Sequence, residues 1–247
     1  MSTGLLLGRL EVAYGLRPAV RGLDLKVEAG ESVALVGANG AGKTTTLLAL
    51  SGALRSGARI SGTQHFEGRL FPWGDVRARL AAGISLVPER EKVFPLLTVR
   101  ENLRIGAARA RGDRVRLDDV LSWFPRLGER RETLAGNLSG GEQQMLALGV
   151  SLLGTPRLIL LDEPTLGLAV PIIEDFCASL RRLRAELGLS ALVAESDSNW
   201  LPHLADRAVV IDRGRPVADF ARLDEGDLDA IHDVMLGLSP ASEAAHG

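Results

Sequence analysis

Short apolar runs alternate along this chain with stretches in which apolar residues recur every three or four positions, the pattern of an α/β core. Runs at 5–12 and 23–27 read as strands separated by the segment from Gly15 to Gly22. Further runs at 32–36, 84–87, 158–161, 191–194 and 208–211 supply most of a sheet. Helical spacing fits 42–54 and 170–187. In the second of these, Ile172, Ile173, Phe176, Leu180, Leu183 and Leu187 share one face, with Arg181, Arg182 and Arg184 outside it. Between about 95 and 150 the character changes to helical spacing with many charges and no strand-like run up to 135, which predicts a small helical subdomain inserted into the core. One domain over 1–220 is expected, followed by an acidic tail at 221–247 (Asp224, Glu225, Asp227, Asp229) that is partly disordered, its end polar from Ser239 onward.

Composition narrows the function classes. At 247 residues and 46% hydrophobic the chain can bury one large core with a modest subdomain. A formal charge of −2 argues against a general nucleic-acid surface. The arginines from Arg100 to Arg131 are interleaved with Glu101, Asp113, Asp118, Asp119 and Glu129, as on a solvated, salt-bridged face. A lone cysteine, Cys177, excludes an intrachain disulfide and reads as a packed core thiol. No apolar run approaches the ~18 residues of a membrane span, and the N-terminus lacks the features of a signal peptide. A cytoplasmic chain that meets a membrane only through a partner is the expectation.

Three motifs carry chemistry. Gly37-Ala38-Asn39-Gly40-Ala41-Gly42-Lys43-Thr44 fits the phosphate-binding pattern G-x-x-x-x-G-K-[ST], between a strand-like run and the helical start at Thr45. Backbone N–H groups and the helix's positive end would hold phosphates; Lys43 would reach the β- and γ-phosphates of a nucleoside triphosphate and Thr44 would ligate Mg²⁺. The chain has three lysines (Lys26, Lys43, Lys92), so a lysine here is not background. Downstream, the apolar run 158–161 ends in Asp162-Glu163-Pro164: Asp162 can hold Mg²⁺ and Glu163 can polarise an attacking water. Third, Leu138-Ser139-Gly140-Gly141-Glu142-Gln143-Gln144 reads as a capping box, Ser139 with Glu142, opening a helix over 143–153. The capping box leaves the Gly140-Gly141 pair unexplained, unless something approaches the backbone closely or an anion binds there.

In this order and spacing, the motifs resemble those of ABC transporter ATP-binding subunits, over most of the chain from Tyr14 to about Asp219. The resemblance implies a P-loop NTPase core with N-terminal antiparallel β strands and an inserted helical subdomain. It also implies a head-to-tail dimer with a second ATP-binding subunit, in which Ser139, Gly140, Gly141 and Glu142 of one subunit complete the ATP site of the other. Tyr14 matches the aromatic that stacks on adenine, and Leu166-Gly167-Leu168 matches a loop that touches the partner's site. Glu89, where most members carry Gln, marks similarity to the branched-chain amino acid and urea importer subgroup, and keeps a role toward Mg²⁺ or the attacking water. Ser196 stands at the switch position usually held by His, or by Gln in the subgroup, and is too short to span to a γ-phosphate except through a water. His203 reads as a surface or core histidine.

By that resemblance the chain hydrolyses ATP on the inner face of a membrane. Its partners are permease subunits, indirectly a solute-binding protein, and no nucleic acid. Two other readings stay open at this point: a soluble ABC ATPase, and a weakly hydrolysing regulatory subunit paired with a more active one, which Ser196 alone favours.

Overall fold

Strand tips set the geometry of this molecule. A computed structural model describes residues 4–108 and 115–238; Asp113 and the polar end 239–247 lie outside the described residues. Six strands form one sheet in the order β10-β9-β3-β8-β7-β6, comprising β3 (Ser32–Val36), β6 (Ile84–Val87), β7 (Leu158–Asp162), β8 (Ser190–Glu195), β9 (Arg207–Asp212) and β10 (Arg215–Phe220). All neighbours are parallel except β9 with β10. The parallel strands β3, β7 and β8 are buried throughout, and so read as continuous apolar runs. Register pairs Val36 with Glu195 and Asp162 with Ala194, so the loops leaving β3, β7 and β8 emerge side by side on one edge. In open α/β sheets that edge is where ligands bind.

A second, antiparallel sheet of order β2-β1-β4-β5 contains β1 (Leu5–Tyr14), β2 (Arg17–Val27), β4 (Ala58–Phe66) and β5 (Arg69–Leu70). Its inward residues Leu5, Leu7, Leu10, Leu23 and Leu25 pack with Val33, Leu35, Leu160 and Leu192 of the larger sheet, and with Leu47 and Leu50 of α1 (Lys43–Ser51). The turn between β1 and β2 is shorter than the sequence pattern suggested. Of residues 17–22 only Val20 is buried, so they form no apolar run, yet β2 starts at Arg17 paired with Tyr14 and only Gly15 and Leu16 lie between the two strands. α1 stops at Ser51 instead of running to 54 because Gly52 takes φ +75° and caps it. Helix α2 (Val76–Ala82) follows, tied down by the fully buried Arg79, whose guanidinium donates to Leu50 O (2.9 Å) and Gln64 Oε1 (2.8 Å).

Between β6 and β7 the described elements are helical: α3 (Val99–Ala107), α4 (Leu117–Trp123), α5 (Pro125–Glu129) and α6 (Gly140–Leu153). A Cβ on Gly106 would fall 2.4 Å from Val150 O, so α3 and α6 touch backbone to backbone. α6 and α7 (Val170–Leu187) cover the face of the sheet opposite the antiparallel strands, with Leu146, Phe176 and Leu180 set against Ile159, Leu161 and Val193.

Part of the stretch read as a tail belongs to the core. Helix α9 (Glu225–Leu236) buries Ile231 and Val234 beside Leu201 of α8 (Leu201–Leu204), against Ala34, Val36, Ala208 and Val210. Its acidic residues masked an apolar stripe of few members. Ile231→Ala is expected to lower the unfolding free energy by about 2–4 kcal/mol in a urea titration; an unshifted midpoint would mean that α9 adds nothing to the core.

Candidate nucleotide site

The loop from β3 to α1 is shaped by close contacts with the chain itself. A Cβ at Gly37 would lie 2.2 Å from Ile211 O, and one at Gly42 would lie 2.5 Å from Ala19 O. Gly42 also holds φ +111° and Gly40 φ +85°, which L side chains rarely adopt. Gly42 caps α1 without any side-chain bond, and first-turn amides have no acceptor within their helix. An uncapped helix start aimed from a tight glycine loop is a site for phosphate oxygens.

Lys43 is 4% exposed. Its ammonium donates to Gly37 O (2.6 Å), Ala38 O (3.3 Å) and Ser196 Oγ (2.9 Å), and pairs with Glu163 Oε1 at 3.0 Å. Glu163 is buried and sits at φ +46°, a rare conformation for a side-chain-bearing residue. It also accepts from Ser196 through the hydroxyl (2.6 Å) and the backbone N–H (3.1 Å). Ser196 Oγ lies 3.2 Å from Asn39 Oδ1 as well. A hydroxyl has one proton, and the short contact to the carboxylate claims it. Ser196 thus links Lys43 to Glu163, work for which its length suffices.

Thr44 Oγ1 donates to Asp162 Oδ1 at 3.0 Å. Burial pushes the Asp162 carboxyl up to about 6; Thr44 opposes the rise, Glu163 and Glu89 add to it, and Lys43 opposes it. Glu89, at the tip beyond β6, is one-third exposed and pairs with Arg90 at 3.0 Å, so it acts on Asp162 through its charge. Tyr14 ends β1 as a half-buried aromatic packed on the core between the sheets. His203 is exposed, with its ring 6.0 Å from that of Trp200.

One residue of the cluster escaped the sequence reading. Glu195 ends β8 only 1% exposed, accepting from Thr165 N (3.1 Å), Thr165 Oγ1 (2.6 Å) and Ser196 N (3.1 Å). Burial raises its pKa, against the Thr165 bonds and with the help of the facing Glu163. The signal was available: a carboxylate directly after the apolar run 191–194, as Asp162 follows 158–161.

The Ser139–Glu142 capping box forms (2.9 and 3.3 Å), and Glu142 also meets Arg130 at 3.2 Å. α6 starts at Gly140 rather than 143, and what approaches Gly141 is internal: a Cβ there would lie 2.3 Å from Ile172 Cγ2. Gly140 is exposed, and a Cβ there would meet only Leu168 Cδ2, at an ordinary 3.6 Å, so of the pair it is the one at the surface.

The donor set fits a triphosphate with Mg²⁺. Among the described residues no group of three or more His, Cys, Asp or Glu could hold a metal ion. The hard oxygens of Thr44 and Asp162 suit a cation that takes one or two protein ligands and fills the rest with phosphate and water. An open cleft of about 520 Å³ adjoins them, lined by Ala38, Glu163, Thr165, Leu168 and Ser196.

Comparison with known proteins shows the family. The ABC transporter family profile matches residues 20–166, a span holding Lys43, Asp162, Glu163 and the Ser139–Glu142 helix start. The chain belongs to the ABC transporter family. It is 42% identical over 211 residues to the high-affinity branched-chain amino acid transport ATP-binding protein BraG of Pseudomonas aeruginosa, covering 85% of this chain and 89% of that one. A nucleotide-free ATP-binding cassette from an ABC transporter superposes with a TM-score of 0.80 at 22% identity, covering 94% of this chain and 96% of that chain. Another solved ATP-binding subunit of an ABC transporter gives 0.75 at 26% identity, covering 96% and 94%. The fold is that of an ABC ATPase cassette, and the chain is an ATP-binding subunit of an ABC transporter. Among its described residues no helix is long and apolar enough to cross a membrane.

The cassette's carboxylates make a pH signature. Between 3.8 and about 6 the folded chain keeps a proton on Asp162 that the unfolded chain has released, so folding weakens as pH rises through that window. In chelator-containing buffer, Asp162→Asn should flatten the fall in stability across the window, a difference of at most about 3 kcal/mol. Equal slopes for parent and variant would contradict the assignment.

Proposed function

We propose that this chain hydrolyses Mg-ATP to drive import of branched-chain amino acids or a related small solute, from the cytoplasmic face of a membrane. The observation that carries this reading is the buried cluster of Lys43, Glu163 and Ser196 beside Thr44–Asp162, in a chain 42% identical to the ATP-binding protein of a branched-chain amino acid transporter. Lys43 and the open amides of α1 bind the phosphates. Thr44 and Asp162, with Glu89 beside them, would hold a metal ion, which when bound would offset phosphate charge. Glu163 orients the attacking water, held against Lys43 by the Ser196 hydroxyl. Ser196 favours an active site over a regulatory one, because it keeps Glu163 in place.

A second ATP-binding subunit, identical or related, supplies the remaining contacts head to tail. The exposed Gly140, the Ser139 side of α6 and the exposed Leu166 meet that partner. Tyr14 stacks on adenine. Permease subunits dock at the groove of about 410 Å³ between β6 and the helical elements, lined by Leu80, Pro88, Lys92 and Ile105. Phe94 on its rim is 52% exposed, an apolar group suited to a partner.

Two experiments test the reading. Glu163→Gln in the purified chain should cut steady-state Mg-ATP turnover by ~10²-fold or more while ATP binding persists; a folded variant at the parental rate would refute the role. Deleting the gene should abolish high-affinity uptake of labelled leucine, isoleucine and valine, and uptake at the parental level would reject the solute class.

A further inference from the structure

Glu195 carries a contradiction. Its carboxyl is 1% exposed, yet its described donors are neutral N–H and O–H groups and the Glu163 carboxyl stands within hydrogen-bond reach of it. A carboxylate buried that way costs folding energy, and Glu163 faces it with a second negative group. A glutamine of the same shape would avoid the charge. What the carboxylate does that glutamine cannot is accept on both oxygens.

Both acceptors are used. Oε1 takes the N–H and hydroxyl of Thr165, two residues beyond Glu163, at 3.1 and 2.6 Å. Oε2 shares the Ser196 N–H with Glu163 Oε2, each at 3.1 Å. The backbone of the same residue accepts from Gly37 N at 3.4 Å, where the phosphate loop begins. Three segments therefore meet at Glu195: the start of the phosphate loop, the turn through Glu163, and the Ser196 switch segment. Glu163 sits in that turn at φ +46°, a strained conformation that persists only where its surroundings hold it. Its own N–H is tied to Ala194 O at 2.9 Å, so the Thr165 bonds close the other side of the turn.

We propose that Glu195 is a positioning residue for ATP hydrolysis: it locks Thr165 and Ser196 on either side of Glu163 and so fixes the Glu163 carboxylate against Lys43. The proposal rests on hydrolysis at Glu163 as read above, and it names a residue on which the efficiency of that step depends. Glu195→Gln keeps one acceptor for Thr165 but turns an N–H₂ group toward the Ser196 N–H. The new donor also draws on Glu163 Oε2, away from Lys43.

The test is kinetic and structural together, on the full-length chain. Glu195→Gln and Thr165→Val should each lower kcat about tenfold or more, with KM for ATP within about twofold. Thr165→Ser, which restores the hydroxyl, should return kcat toward the parent, and the double variant should be little worse than either single one. Glu195→Gln should keep or raise the thermal midpoint, because it removes a buried charge, whereas a merely structural residue would lose kcat only as folded protein is lost. Parental kcat in both single variants would overturn the proposal, as would activity lost in step with folding. Amide exchange gives a readout independent of turnover: protection at Ser196 and Thr165 should fall in Glu195→Gln, and unchanged protection would overturn the lock. A parent that binds ATP without hydrolysing it would count against the proposed function, and the exchange measurement would still decide whether Glu195 holds the two segments.

Discussion

The ion pair between the buried ammonium of Lys43 and the buried carboxylate of Glu163 is the constraint on which the site depends. Removing either partner of such a pair leaves an uncompensated charge away from water. Three carboxylates, Asp162, Glu163 and Glu195, crowd the same sheet edge, and Lys43 is the cation paired with one of them. Burial raises the pKa of Asp162 and Glu195, and the neighbouring negative charge adds to the rise. On the proposed reading, the Thr44 and Asp162 oxygens would take a divalent cation and the open amides of α1 would face the polyphosphate.

The larger fold holds these groups in register. Parallel pairing of β3 with β8 and of β7 with β8 fixes which strand tips are neighbours. Apolar layers on both sheet faces keep the strands from slipping, since a one-residue shift would turn buried side chains outward. The antiparallel sheet adds a direct contact: Ala19 O lies so near Gly42 that no side chain fits between them, so β2 props the phosphate loop from behind. Helix α9 reaches the same region, with His232 and Met235 bordering the cleft that holds Ser196. Loop, switch segment and C-terminal helix thus share one wall.

Much of this was readable from residue order. The phosphate loop, Asp162 and Glu163 stand where continuous apolar strands end, and buried parallel strands announce themselves that way. β4 and β10 were harder, because one face of each is exposed and Ser61, Gly62 and Thr63 interrupt any apolar run. α9 was hidden by its acids. Gly141 carried a genuine signal whose cause only packing revealed, a methyl of Ile172 at the helix surface. Glu195 follows an apolar run as Asp162 does, but stands outside every motif in the sequence. Its partner Thr165 is thirty positions earlier, and a bond of that span leaves no local trace.

The central claim is that the Lys43 cluster is the seat of triphosphate binding. Calorimetric titration of Mg-ATP into the parent and into Lys43→Met, with folding checked by circular dichroism, tests it most directly. The account predicts a folded variant whose affinity is weaker by about 100-fold, a loss of roughly 3 kcal/mol. A folded variant with the parental Kd would contradict it.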